Sequence, residues 1–174
     1  MDFNQLKARL GRDGLVVVGG ALLIFIDSFL PWYKVSLKGN EAFAGGASAS
    51  TNGWGSGIGA WFPILLLVAV GVVVVLAAMG NIKWSPLMTY TIAAGASVVS
   101  FVIIVLRWLT YPSPNALEKA YVNAGAGFGT YIALVVALAM AVFAYLGFSS
   151  VGGDVKNIGA GFQQNQAGPP ANQG

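Results

Sequence analysis

Four long apolar runs, at residues 14–33, 60–80, 87–109 and 129–148, dominate this chain, and each is close to the ~20 residues a helix needs to cross a bilayer. A water-facing shell around so much apolar sequence needs roughly a quarter of the residues charged. Here 9% are charged and 56% hydrophobic, so lipid has to solvate much of the surface. The expected fold is an all-α membrane protein, a bundle of four transmembrane helices over residues 14–148. A cytoplasmic segment, residues 1–13, precedes it, and a disordered cytoplasmic tail, residues 149–174, follows. The tail is read from its Ser, Gly, Asn, Gln and Pro, which leave little to bury.

The charged start followed by an apolar run also fits the layout of a signal peptide, with Ala42-Phe43-Ala44 as an A-x-A site. That site lies far beyond the run, Asp27 interrupts the run, and three more spans follow, so the first segment is read as a retained helix. Ahead of it, Phe3, Leu6 and Leu10 fall at helical spacing among Lys7, Arg9 and Arg12. This is either a short interfacial helix or a frayed basic end. In both cases three cations beside the first span favour a cytoplasmic N-terminus. Four crossings then place both termini inside, the turn 81–86 inside, and the loops 34–59 and 110–128 outside.

Aromatic residues mark the boundaries. Trp32, Tyr33, Trp54, Trp61 and Trp108 are expected in the outer interface belt, and Trp84 and Tyr90 in the inner one. In the first outer loop Tyr33, Val35 and Leu37 alternate with Lys34, Ser36 and Lys38, the period of a strand. Its partner is expected at residues 47–54 across a turn at Gly45-Gly46, forming a short β-hairpin that rests on the helix ends. In the second outer loop Pro112 and Pro114 close the third span, and residues 115–121 suit one or two helical turns.

Asp27 is the ionisable residue set deepest in a predicted span, about 9 Å from its outer end at ~1.5 Å per residue. A carboxylate in hydrocarbon needs a partner or water. Arg107, near the same level of the third span, is the expected partner, either in a structural ion pair or beside a carboxylate that couples proton or cation movement. In the fourth span Gly125, Gly129, Ala133, Ala137 and Ala141 recur every four residues, which lines one face with small side chains for close helix packing. That face suits contacts inside one protomer as well as between protomers.

The chain has no histidine and no cysteine, so the commonest general base, thiolate nucleophiles and the usual transition-metal ligands are missing. No P-loop, G-x-S-x-G or H-E-x-x-H pattern occurs, and Glu41 and Glu118 sit in outer loops without a tuning partner. No catalytic residue, metal site or cofactor is assigned. The nine basic residues are scattered at span ends, which speaks for membrane topology rather than nucleic acid.

The run Asp27-Ser28-Phe29-Leu30-Pro31-Trp32-Tyr33, a Gly/Ser-rich first loop reaching Trp54, Arg107-Trp108 closing span three, and a Gly-Gln-Pro tail resemble small four-helix membrane proteins of actinobacteria. The layout is also loosely similar to the mycobacterial antigenic four-helix membrane protein group. The resemblance covers residues 14 to 174 and implies a place in the cell envelope. The functional expectation is a multi-pass plasma-membrane protein acting as a non-enzymatic scaffold or accessory subunit. Its partners would be the lipid bilayer and other membrane proteins or a second copy of itself. The alternative is a small oligomeric transporter or channel protomer that uses Asp27.

Overall fold

The computed structural model describes residues 3–37, 48–112, 114–115 and 121–154. Its elements run α1 (Phe3–Asp27), β1 (Pro31–Leu37), β2 (Ser48–Asn52), α2 (Ile58–Ala78), α3 (Pro86–Leu109), β3 (Val122–Ala126) and α4 (Phe128–Ser150). Each helix packs against two others, in the cyclic order α1, α2, α3, α4. The strands form one antiparallel sheet in the order β2-β1-β3. The sheet lies with the end of α1 and the starts of α2 and α4, where Arg107 of α3 also reaches Ser56. At the opposite end Arg9 reaches the Ala78 carbonyl and Tyr90 reaches Leu10.

Three helices, α2, α3 and α4, are long and apolar enough to cross a membrane. At ~1.5 Å per residue they span about 31 to 36 Å, against a hydrocarbon core of about 30 Å. Local sequence accounts for their ends. Ser85 caps α3 by accepting the Met88 N–H, with Pro86 at the first helical position, where its missing N–H costs nothing. α2 closes on Gly80 at φ 80°, with Gly80 N–H donating to Ala77 and Asn81 N–H to Leu76. Glycine suits that left-handed position because it has no Cβ to clash.

Core positions recur at alternating steps of three and four. Leu10, Gly14, Val17, Ala21 and Ile24 are buried on α1, and Ala133, Ala137, Met140, Ala144 and Gly147 on α4. This is the spacing of helices that pack knobs into holes along a shared seam. The facing side chains are small, with Ala93, Ser97 and Ser100 buried on α3. A Cβ on Gly147 would collide with the Tyr90 ring and one on Gly71 with Ala21. Large apolar side chains point outward instead: Leu22 and Phe25 on α1, Leu65 and Val72 on α2, Val102 and Leu106 on α3, Val135 and Leu138 on α4.

Several expectations need correction. The first span does not continue to residue 33. Helix α1 ends at Asp27, because proline at 31 cannot extend it and Pro31–Leu37 pairs as β1 on both of its sides. Asp27 is therefore the last residue of its helix rather than a residue deep within a span. At its other end α1 begins at Phe3, so residues 3–10 form a helical piece joined to the rest across Gly11, at φ 61° and ψ −174°. Leu10 of that piece is in the core. Ser149 and Ser150, placed in the tail, complete α4.

The hairpin is present, with Val35 opposite Ala49 and Ser36 opposite Ser48. A third strand, β3, was not expected, and it makes β1 central. It takes in Gly125, which is thus not on the α4 packing face and has open space where a Cβ would stand. Tyr90, expected at the inner interface, is half-buried, with its ring against Gly147 and its hydroxyl donating to the Leu10 carbonyl. The Gly45-Gly46 turn, Glu41, Glu118, residues 116–120 and the tail from residue 155 lie outside the described residues.

Candidate functional site

Polar groups concentrate where the sheet meets the helix ends, and each is placed by a short segment between regular elements. Pro31 turns the chain from α1 into β1, which drops Trp32 into the bundle, where it is fully buried. Its indole N–H donates to the Asp27 carbonyl at 3.1 Å. Space for the ring comes from glycine: a Cβ at Gly129 would stand 2.6 Å from Trp32 Cδ1, and one at Gly53 3.3 Å from Trp32 Cε2. The Trp32 carbonyl accepts from Gly127 N–H at 2.8 Å and from the Thr130 hydroxyl at 2.7 Å, which uses both of its lone pairs. Thr130 has spent its proton there, so Tyr111 is the donor in their 3.2 Å contact. Burial pushes the Tyr111 hydroxyl above its ordinary value and outweighs the Thr130 hydrogen bond and the Arg107 charge, which pull it down. Tyr111 thus stays a protonated donor.

A second strand of this network joins α1 to the start of α2. Ser28 donates to the Phe25 carbonyl at 2.6 Å and accepts from the Trp54 indole at 3.0 Å. Ser56 donates to the Asn52 carbonyl at 2.7 Å, and its own carbonyl accepts from Arg107 Nε at 3.0 Å and Nη2 at 2.5 Å. The Arg107 guanidinium also lies 4.6 Å from the centroid of the Tyr111 ring, which stacks on Tyr33 at 5.2 Å. Tyr33 donates to the Pro112 carbonyl at 3.0 Å. Such contacts fasten three strands to four helix ends, and they are structural in character.

Asp27 and Arg107 are not brought together. The Asp27 side chain is 2% exposed, and neither carboxylate oxygen meets a hydrogen-bond donor among the described residues. Arg12 pairs instead with Asp13, at 3.2 Å. The expected pair fails because Arg107 is engaged elsewhere, by the Ser56 carbonyl on one side and the Tyr111 ring on the other. Gly59 leaves room for that course, since a Cβ there would stand 3.1 Å from Arg107 Cδ. An ionised carboxylate so enclosed costs several kcal/mol, which makes Asp27 the most unusual group in the fold. The Ser97 and Ser100 hydroxyls, deeper in the bundle, are likewise buried without a partner.

The remaining expected site residues divide. Gly129, Ala133, Ala137 and Ala141 are all buried within the protomer. A strict step of four gains about 40° per turn on a helix of 3.6 residues per turn, so the buried face passes from Ala141 to Met140, Ala144 and Gly147. Trp54 and Trp108 are exposed and Tyr33 and Trp61 half-buried at the sheet end, where a belt was expected. Trp32 is the exception, since it is a core residue. Ser28, Ser56, Tyr111 and Thr130 had no distinguishing pattern in the sequence. The one available signal was glycine at 127 and 129 beside an aromatic-rich segment. Among the described residues no group of three or more acidic, histidine or cysteine side chains could hold a metal. No family model, curated protein or solved structure matches this chain.

Proposed function

We propose that this chain is an integral plasma-membrane protein that crosses the bilayer four times, with the sheet outside and both ends in the cytoplasm. It acts there as a non-enzymatic scaffold or accessory subunit. The observation that carries the membrane reading is the outer surface of the bundle. α2 and α4 turn large apolar side chains outward from end to end, α3 does so over residues 98–109 and α1 over residues 22–26, which together make a patch wider than water would tolerate. α1 contributes a shorter apolar stretch than the others. Lys7, Arg9 and Arg12 at its start can extend their stems along the core and keep their charges at the headgroups.

The scaffold reading draws on what is left free. The small-residue face of α4 is consumed inside the protomer, so a partner would meet the outward helix faces or the polar sheet end. The absence of histidine and cysteine from the chain supports a role without catalysis. The unpaired Asp27 carboxylate favours the second reading, a transporter or channel protomer, but its enclosure speaks against a wet path. Two measurements on one preparation decide between them. The purified protein is expected to retain a defined set of membrane proteins after affinity capture in mild detergent. Reconstituted alone in liposomes, it is expected to show the same proton and cation leak as Asp27→Asn. A pH-dependent flux abolished by Asp27→Asn would replace the scaffold with the carrier.

A further inference from the structure

At the end opposite the sheet, the last turns of α2, the first turn of α3 and the piece of α1 before Gly11 enclose a groove of about 290 Å³. Its lining is divided by chemistry. Leu10 and Val74 form an apolar wall, Thr89 and Tyr90 a polar one, and Arg9 and Trp84 stand at the mouth. Arg9 is exposed and spends one N–H on the Ala78 carbonyl at a long 3.3 Å, which leaves most of its five-donor fork available. Trp84 is 38% exposed, and its indole N–H has no acceptor among the described residues. Among the described residues no carboxylate lines the groove, and Asp13, whose charge is felt at Tyr90, is paired with Arg12. Lys7 and Lys83, both exposed, add positive charge at this end.

A guanidinium fork and an indole N–H above an apolar wall match a phosphate ester carrying hydrocarbon. Arg–phosphate pairing is strong because it is charged and bidentate, and tryptophan anchors where headgroups meet acyl chains. We infer that this groove binds the headgroup of an anionic phospholipid, with its phosphate on Arg9 and Trp84 and the first carbons of an acyl chain along Leu10 and Val74. The inference rests on the membrane reading above, because only there do the ends of α2 and α3 sit at headgroup depth.

The test uses the full chain in mild detergent, with phosphatidylglycerol, phosphatidylcholine and inorganic phosphate as separate probes and bound lipid read by native mass spectrometry. The wild type should bind phosphatidylglycerol in preference to phosphatidylcholine. Arg9→Gln should weaken phosphatidylglycerol about tenfold or more, the range for losing a hydrogen bond to a charged group. Arg9→Lys should keep part of the preference, Trp84→Leu should reduce it, and Lys7→Gln should change it less than about threefold, since a cation outside the groove adds only screened attraction. Equal losses for Lys7→Gln and Arg9→Gln, no preference between the lipids, or displacement by millimolar inorganic phosphate alone would each overturn the site. Membranes of the expressing cells, washed with alkaline carbonate before solubilisation, separate the two failures. A chain released by the wash contradicts the membrane reading, whereas a retained chain without lipid preference contradicts the groove alone.

Discussion

Replacing Trp32 by alanine is expected to lower the stability of the detergent-purified protein by about 3–5 kcal/mol, the usual cost of emptying a large aromatic site. The ring is fully buried between the sheet and the helix ends, with Gly53 and Gly129 against it. Neither can fill the space, because a glycine has no side chain to move into it. The substitution also removes the donor to the Asp27 carbonyl. The backbone hydrogen bonds of Trp32 to Gly127 and Thr130 survive, so the loss should be one of packing and not of strand pairing. Trp108→Ala is the matched control. That side chain is 40% exposed, and its removal should cost less than about 1 kcal/mol, as for other surface changes. Chemical unfolding followed by circular dichroism gives both values. A cost below about 1 kcal/mol for Trp32→Ala would mean that the sheet does not seat this ring in the bundle.

Ala137→Leu should have the next largest effect, about 1–3 kcal/mol, from forcing three extra carbons into a closed seam. Ala137 is completely buried on the core face of α4, where small side chains set the helix spacing. Leu138 is about half exposed on the outward face, and Leu138→Ala should cost about 0.5 kcal/mol or less, since an outward side chain in a detergent micelle gains little from folding. The same unfolding assay ranks the two. The reverse order would turn the small-residue face outward and reopen it to contacts between protomers.

How much of this could be read in the sequence depended on whether the signal was local. The apolar runs at 60–80, 87–109 and 129–148 match α2, α3 and α4 to within a turn, because hydrophobic length and a proline or glycine at the ends are written in consecutive residues. The alternation from Tyr33 to Leu37 likewise exposed β1. β3 escaped because Val122–Ala126 is mostly alanine and glycine, without a strand's periodicity, and is held by pairing to a segment some ninety residues earlier. Trp32 escaped for a related reason. A Pro-Trp-Tyr sequence after an apolar run reads as an interface anchor, and only the room left by Gly53 and Gly129 admits the indole inward. Asp27 and Arg107 were matched by depth along two ideal helices. Once α1 ends at Asp27 and the Ser56 carbonyl stands within reach of Arg107, depth no longer decides the pairing.

Four crossings with the sheet outside underlie the proposed function. Single cysteines at Asn4, Ser48, Asn81 and Ser150 test them in intact cells, and the native chain has no cysteine to confuse the result. All four positions are exposed, at the start of α1, on β2, in the α2–α3 turn and at the end of α4. An impermeant thiol reagent is expected to label Ser48→Cys from outside, while the other three react only after the membrane is permeabilised. Labelling of Asn4→Cys together with Ser48→Cys would show that α1 does not cross, and labelling of Asn81→Cys with protection of Ser48→Cys would reverse the orientation.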